Sequence, residues 1–128
     1  MSGKGPVLVI ASHRGRVARL EKLLAAERFE VLVAGDGRAA LAGPMEQAPT
    51  VVLIDWSLED EVSREELVYR LRPRRVGPRV VAIAPPEEAQ SVARVTGVSD
   101  VIGDGLDAEE VIDVVWRCHH EVQFAREG

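Results

Sequence analysis

Asp55 closes the run Val51-Val52-Leu53-Ile54-Asp55, an aliphatic, β-branched stretch without polar alternation. Such a run reads as a strand covered on both faces. In an open parallel sheet the chemistry sits just beyond the carboxyl ends of the strands, so this carboxylate is expected to point into a functional crevice. Its reactivity then depends on its neighbours. Ser12, His13 and Asp55 carry the letters of a nucleophilic triad. Sequential Ser and His side chains seldom face each other, however, and no G-x-S-x-G elbow is present. His119-His120 invites a metal reading, but adjacent helical residues point about 100° apart and cannot share one ion. The pair is expected at a solvated helix end. Cys118 falls on an apolar helix face and reads as a small core hydrophobe. Neither a P-loop nor a dinucleotide glycine fingerprint occurs, so nucleotide binding has no support.

The elements that would position Asp55 recur at regular intervals. Apolar runs at Val7 to Ala11, Phe29 to Ala34, Val51 to Asp55, Val80 to Ala84 and Asp100 to Ile102 read as five strands. Helical spacing lies between them. Val17, Leu20, Leu23 and Leu24 mark the first helix, and Ala39 to Leu41 begin a second that Gly43-Pro44 cuts short. The third opens on the capping box Ser63-Arg64-Glu65-Glu66 and is expected to stop at Pro73. The fourth is expected over about residues 87–96, ending at Gly97. The fifth follows Asp107, with Val111, Val114, Val115, Cys118 and Val122 on one face and Ile112 and Trp116 on its flank. This alternation predicts an α/β chain, a (βα)5 three-layer sandwich with a parallel sheet.

With 128 residues, 46% hydrophobic and 29% charged, the chain reads as one globular domain. Residues 6–122 form its expected core, and residues 123–128 a C-terminal tail or the start of a linker. A formal net charge of −5 argues against general nucleic-acid or anionic-membrane binding. A single cysteine excludes an internal disulfide. No apolar stretch reaches the roughly 18 residues of a membrane span. The short polar start, without an apolar signal core, places the expected site of action in the cytoplasm.

In this order and spacing, the motifs resemble the receiver domain of bacterial response regulators over nearly the whole chain. Ala34-Gly35-Asp36-Gly37-Arg38-Ala39-Ala40-Leu41 matches the family's A-x-D-G-x-x-A-L lead into the second helix. Pro49 to Leu58 matches the strand and loop around the phosphorylatable aspartate, and Gly97-Val98-Ser99-Asp100-Val101-Ile102 matches the fifth strand. The resemblance implies a CheY-like, flavodoxin-like sheet of order 2-1-3-4-5 and a signalling module rather than an enzyme. It places the phosphoacceptor at Asp55 and a metal-binding backbone carbonyl at Ser57.

The rest of the family's machinery is replaced. Its acidic, Mg²⁺-holding pair falls on Ala11 and Ser12, its hydroxyl residue on Ala84, its switch aromatic on Val101 and its lysine on Asp104. Acyl phosphate formation needs a dication to neutralise and align the transferring group. Two carboxylates about 4–5 Å apart repel by roughly 3–4 kcal/mol at an effective dielectric of about 20, and a phosphoryl group adds charge. A pseudo-receiver is therefore expected, acting as a phosphorylation-independent interaction module without cofactor. The alternative is a working phospho-receiver that accepts a phosphoryl group on Asp55 from a histidine kinase through an unconventional Mg²⁺ site.

Glu59, Asp60 and Asp104 are the acids that could build such a site, and Trp56 would then neighbour the ion. His13, Arg14 and Arg16 stand where the family carries negative charge, and one of them could pair with Asp55 instead. Ile112 and Trp116 either form an exposed partner surface or pack against the fourth helix. Expected partners are proteins: a signalling protein, an output domain or a histidine kinase. A homodimer through the fourth helix, fifth strand and fifth helix is a further expectation.

Overall fold

The computed structural model describes residues 5–71 and 76–127. Five strands, β1 (Val7–Ile10), β2 (Val31–Ala34), β3 (Val51–Asp55), β4 (Arg79–Ala84) and β5 (Val98–Gly103), form one parallel sheet in the order β2-β1-β3-β4-β5. The helices are α1 (Arg14–Ala26), α2 (Gly37–Ala42), α3 (Arg64–Leu71), α4 (Ala89–Ala93) and α5 (Ala108–Glu127). The three-layer (βα)5 architecture is the one read from the sequence.

Strand parity assigns each residue of the apolar runs to a layer. Val7, Val9, Val51, Leu53, Val81 and Ile83 pack with Leu20 and Leu24 of α1 and Val111, Val115 and Cys118 of α5. Leu8, Ile10, Val52, Ile54, Val80 and Ala82 pack on the opposite side with Ala40 of α2, Leu67 and Val68 of α3 and Val92 of α4. Asp55 has the parity of Val51 and Leu53, so it emerges on the α1 and α5 side. Trp56 emerges on the other side, among Leu58, Leu67 and Val68, with the Arg64 guanidinium 5.5 Å above its ring. That placement corrects the expectation that the Trp56 indole neighbours an ion at Asp55.

Several boundaries differ from the sequence reading, each for a local reason. Pro85-Pro86 opens a 3-10 turn (Pro86–Glu88), and residues 94–97 form turns, which confines α4 to five residues. Gly97, with φ of 99°, makes the left-handed turn into β5. The third helix is capped as its motif predicts, Glu66 N–H donating to Ser63 Oγ at 3.1 Å. Its stop at Pro73 lies outside the described residues. α5 continues to Glu127, and Arg126 donates to the carbonyls of Val76, Ala48 and Pro49. The segment expected as a tail or linker is therefore helix as far as Glu127, tied to the amino-terminal edge of the sheet.

His119 corrects the solvated-helix-end expectation. It is 1% exposed, and its Nδ1 lies 2.8 Å from Thr50 Oγ1. Only His120 is exposed. Trp116 goes neither to solvent nor to α4. Its ring lies 4.8 Å from that of Phe29 and 5.0 Å from that of His120, and its Nε1 donates to Glu27 at 2.8 Å. Ile112 is half-buried beside it on α5. The indole fills the seam between α5 and the end of α1.

Candidate functional site

The 2%-exposed Asp55 carboxylate would be costly to bury without partners. It has four hydrogen bonds. Oδ1 accepts from Ser57 N (3.0 Å), Ser57 Oγ (2.8 Å) and Arg16 Nη1 (2.8 Å), and Oδ2 accepts from the same Nη1 at 2.9 Å. Ser57 Oγ in turn accepts from Arg16 Nη1 at 3.1 Å. The other guanidinium nitrogen, Nη2, stands 3.6 Å from Asp104 Oδ2. One guanidinium thus straddles both oxygens of Asp55 and turns its remaining edge to Asp104.

Local structure explains why Arg16 is the arginine that arrives. α1 starts just beyond β1, the neighbour of β3, and lies on the side of the sheet to which Asp55 points. Three residues into the helix, the Arg16 side chain reaches across the strand ends. One turn further on, Arg19 Nε donates to Leu106 O at 3.0 Å. Asp104 is brought in from β5, its N–H donating to Ala84 O at 3.1 Å. The like-charge expectation for Asp55 and Asp104 changes accordingly, because a cation stands between them.

The other cations do not enter the pocket. Arg14 is exposed on the first turn of α1. His13 is the N-cap of that helix, its Nδ1 accepting from Arg16 N at 3.1 Å. Ala11 is buried and Ser12 exposed at the end of β1, and Ala84 is buried at the end of β4. Val101 packs into the α2, α3 and α4 layer. None of these four supplies a carboxylate, an active-site hydroxyl bonded to Asp55 or an aromatic ring.

The acids after β3 do not assemble around Asp55 either, which corrects the substitute-cluster expectation. Asp60 Oδ2 accepts from Gly37 N at 2.6 Å and so holds the start of α2. A Cβ at Gly37 would lie 2.9 Å from that oxygen and 3.2 Å from Leu67 Cδ1, which is why glycine follows the N-cap Asp36. Glu61 pairs with Arg38 at 3.1 Å, and Glu59 is exposed. Among the described residues, no group of three or more His, Cys, Asp or Glu side chains is placed to hold a metal ion. The Mg²⁺ implied by the fold family does not fit this donor set: both Asp55 oxygens are engaged by a guanidinium, and Ala11 and Ser12 carry no carboxylate.

Two contributors were missed in the sequence reading. Ser57 acts through its hydroxyl as well as its backbone, and Arg19 fixes the loop beyond Asp104. The signal for Arg19 was its i, i+3 spacing from Arg16, which puts both on one helix face.

No family model and no curated protein matches the sequence. Solved structures do match. The signal receiver domain of an HD domain-containing protein from Pseudomonas fluorescens Pf-5 superposes with a TM-score of 0.85 at 13% identity, covering 99% of this chain and 95% of that one. The receiver domain of NtrX from Brucella abortus gives 0.77 at 25% identity, over 89% and 98%. The signal receiver domain of a signal transduction histidine kinase from Syntrophus aciditrophicus gives 0.77 at 19%, over 92% of each. The structural neighbours are consistently receiver domains, and the fold of this chain is that of a response-regulator receiver domain, CheY-like and flavodoxin-like.

Proposed function

We propose that this chain is a pseudo-receiver: a two-component signalling module that works as a protein-interaction domain without phosphoryl transfer, its Asp55 kept closed by Arg16. The observation that carries this reading is the guanidinium on both oxygens of the phosphoacceptor-position carboxylate. A phosphoryl group arriving at Asp55 would have to displace Arg16 and then face Asp104, with no dication cage to offset its charge. The hydroxyl and aromatic positions that would read such a group out are Ala84 and Val101. Binding without catalysis needs only a fixed surface, and a buried, fully bonded Asp55 favours a single conformation of the loops around it.

The partners proposed are proteins, namely a histidine kinase, an output domain or another signalling protein, met in the cytoplasm. Structural neighbours include receiver domains from a histidine kinase and from an HD domain-containing protein, which supports this choice of partner class. Homodimerisation through α4, β5 and α5 remains part of the proposal. Among the described residues, no helix is long and apolar enough to cross a membrane.

The test is incubation with acetyl phosphate and Mg²⁺ followed by intact-mass measurement, with Asp55→Asn as control. The proposal predicts no phosphoryl adduct on the wild-type chain. An adduct of one phosphoryl group that Asp55→Asn abolishes would establish the phospho-receiver instead.

A further inference from the structure

Arg16 is held at both ends. Its guanidinium grips Asp55, and its backbone N–H donates to His13 Nδ1 at 3.1 Å. An imidazole nitrogen accepts a hydrogen bond only when it carries no proton, so this N-cap requires the neutral ring with its proton on Nε2. The neighbouring sequence is fitted to the ring. A Cβ on Gly15 would lie 3.0 Å from His13 Cε1 and 3.4 Å from Nδ1, so glycine in the first turn of α1 leaves room for the imidazole to fold back over it. Glycine is otherwise unfavourable inside a helix. The first turn contains no acidic residue to hold it by another route.

We propose that His13 is a pH-sensitive catch on Arg16: the neutral imidazole fixes the first turn of α1 and with it the guanidinium on Asp55, and protonation loosens both. The inference rests on the reading that Arg16 closes the Asp55 pocket. A protonated ring presents N–H to N–H in place of the cap and sets a positive charge against the positive end of the helix. The charged groups gathered around this turn are Arg14, Arg16 and Arg19 on α1, Asp55 at the end of β3 and Asp104 on the loop before α5. The two carboxylates are already engaged by Arg16. Histidine is the side chain type whose charge changes between about pH 5 and 8.

The experiment follows guanidinium rotation of Arg16 by carbon-detected NMR, a rate that proton exchange with water does not enter. Wild type is compared with His13→Asn, in which a carboxamide oxygen caps the helix at any pH. Near pH 7.5 both proteins are expected to show Arg16 rotating more slowly than free arginine. Near pH 5.5 the wild-type rate should rise at least about fivefold, the equivalent of losing one N-cap, while His13→Asn stays unchanged. His119 and His120 are common to both proteins and cancel in the comparison. A slow guanidinium whose rate does not change with pH in wild type overturns the catch alone. Free rotation in both proteins near pH 7.5 overturns the closed pocket on which it rests.

Discussion

At the scale of single residues, the pocket is an ion pair with a desolvated acid and a better-solvated base, their side chains 3% and 24% exposed. Removing one partner of such a pair costs more than removing both, because the remaining charge is stranded. Arg16→Ala is therefore expected to destabilise the fold by about 2–4 kcal/mol, and Asp55→Asn in that background to restore part of the loss, as read by urea denaturation. Ser57→Ala, which removes a hydroxyl bonded to both partners, should cost about 1 kcal/mol in the same measurement. A second residue-scale device lies at the far end of the sheet, where Thr50 serves the buried His119. Thr50→Val keeps the shape and removes this hydrogen bond, with an expected loss of about 1 kcal/mol.

At the scale of elements, strand parity decided most of what the sequence could tell. The unbroken run ending in Asp55 marked a strand buried on both faces, and the register of five such runs is the sheet observed. Parity alone also implies that Asp55 and Trp56 diverge, although the sequence reading put both beside one ion. The choice among His13, Arg14 and Arg16 was not legible, because long side chains on one turn reach different partners and only the helix phase relative to β3 selects one. The flank of α5 was ambiguous for the same reason: Trp116 could turn either way until Phe29 and Glu27 fixed it. The short α4 was obscured by Pro85-Pro86, which permit a helical start yet here open only a 3-10 turn. Gly37 tests the element scale directly. Gly37→Ala brings a Cβ against Asp60 and Leu67 at the start of α2 and should lower stability by about 1 kcal/mol or more in thermal melts.

At the scale of the whole molecule, two core layers and a sheet hold the carboxyl-end loops, and the pocket draws on three of them. Arg16 follows β1, Asp55 and Ser57 end β3, and Asp104 follows β5. The pocket thus ties together three loops along the carboxyl edge of the sheet. The core also sets an alkaline limit. Burial pushes the Cys118 thiol up to about 11 from 9.0, so the folded state holds its proton where the unfolded chain releases it. Stability from this group is full below pH 9.0 and declines as pH rises towards about 11, a fall that Cys118→Ala should not show. For the same reason a thiol reagent at neutral pH should label Cys118 only after unfolding.

The central claim is that Arg16, rather than a metal ion, is the counter-charge of Asp55. A double-mutant cycle with Arg16→Gln and Asp55→Asn, measured by denaturant unfolding in the presence and absence of Mg²⁺, tests it most directly. The account predicts a coupling of about 2 kcal/mol that Mg²⁺ leaves unchanged. Coupling below about 0.5 kcal/mol, or a wild-type stability that rises with Mg²⁺ and ceases to do so in Asp55→Asn, would contradict it.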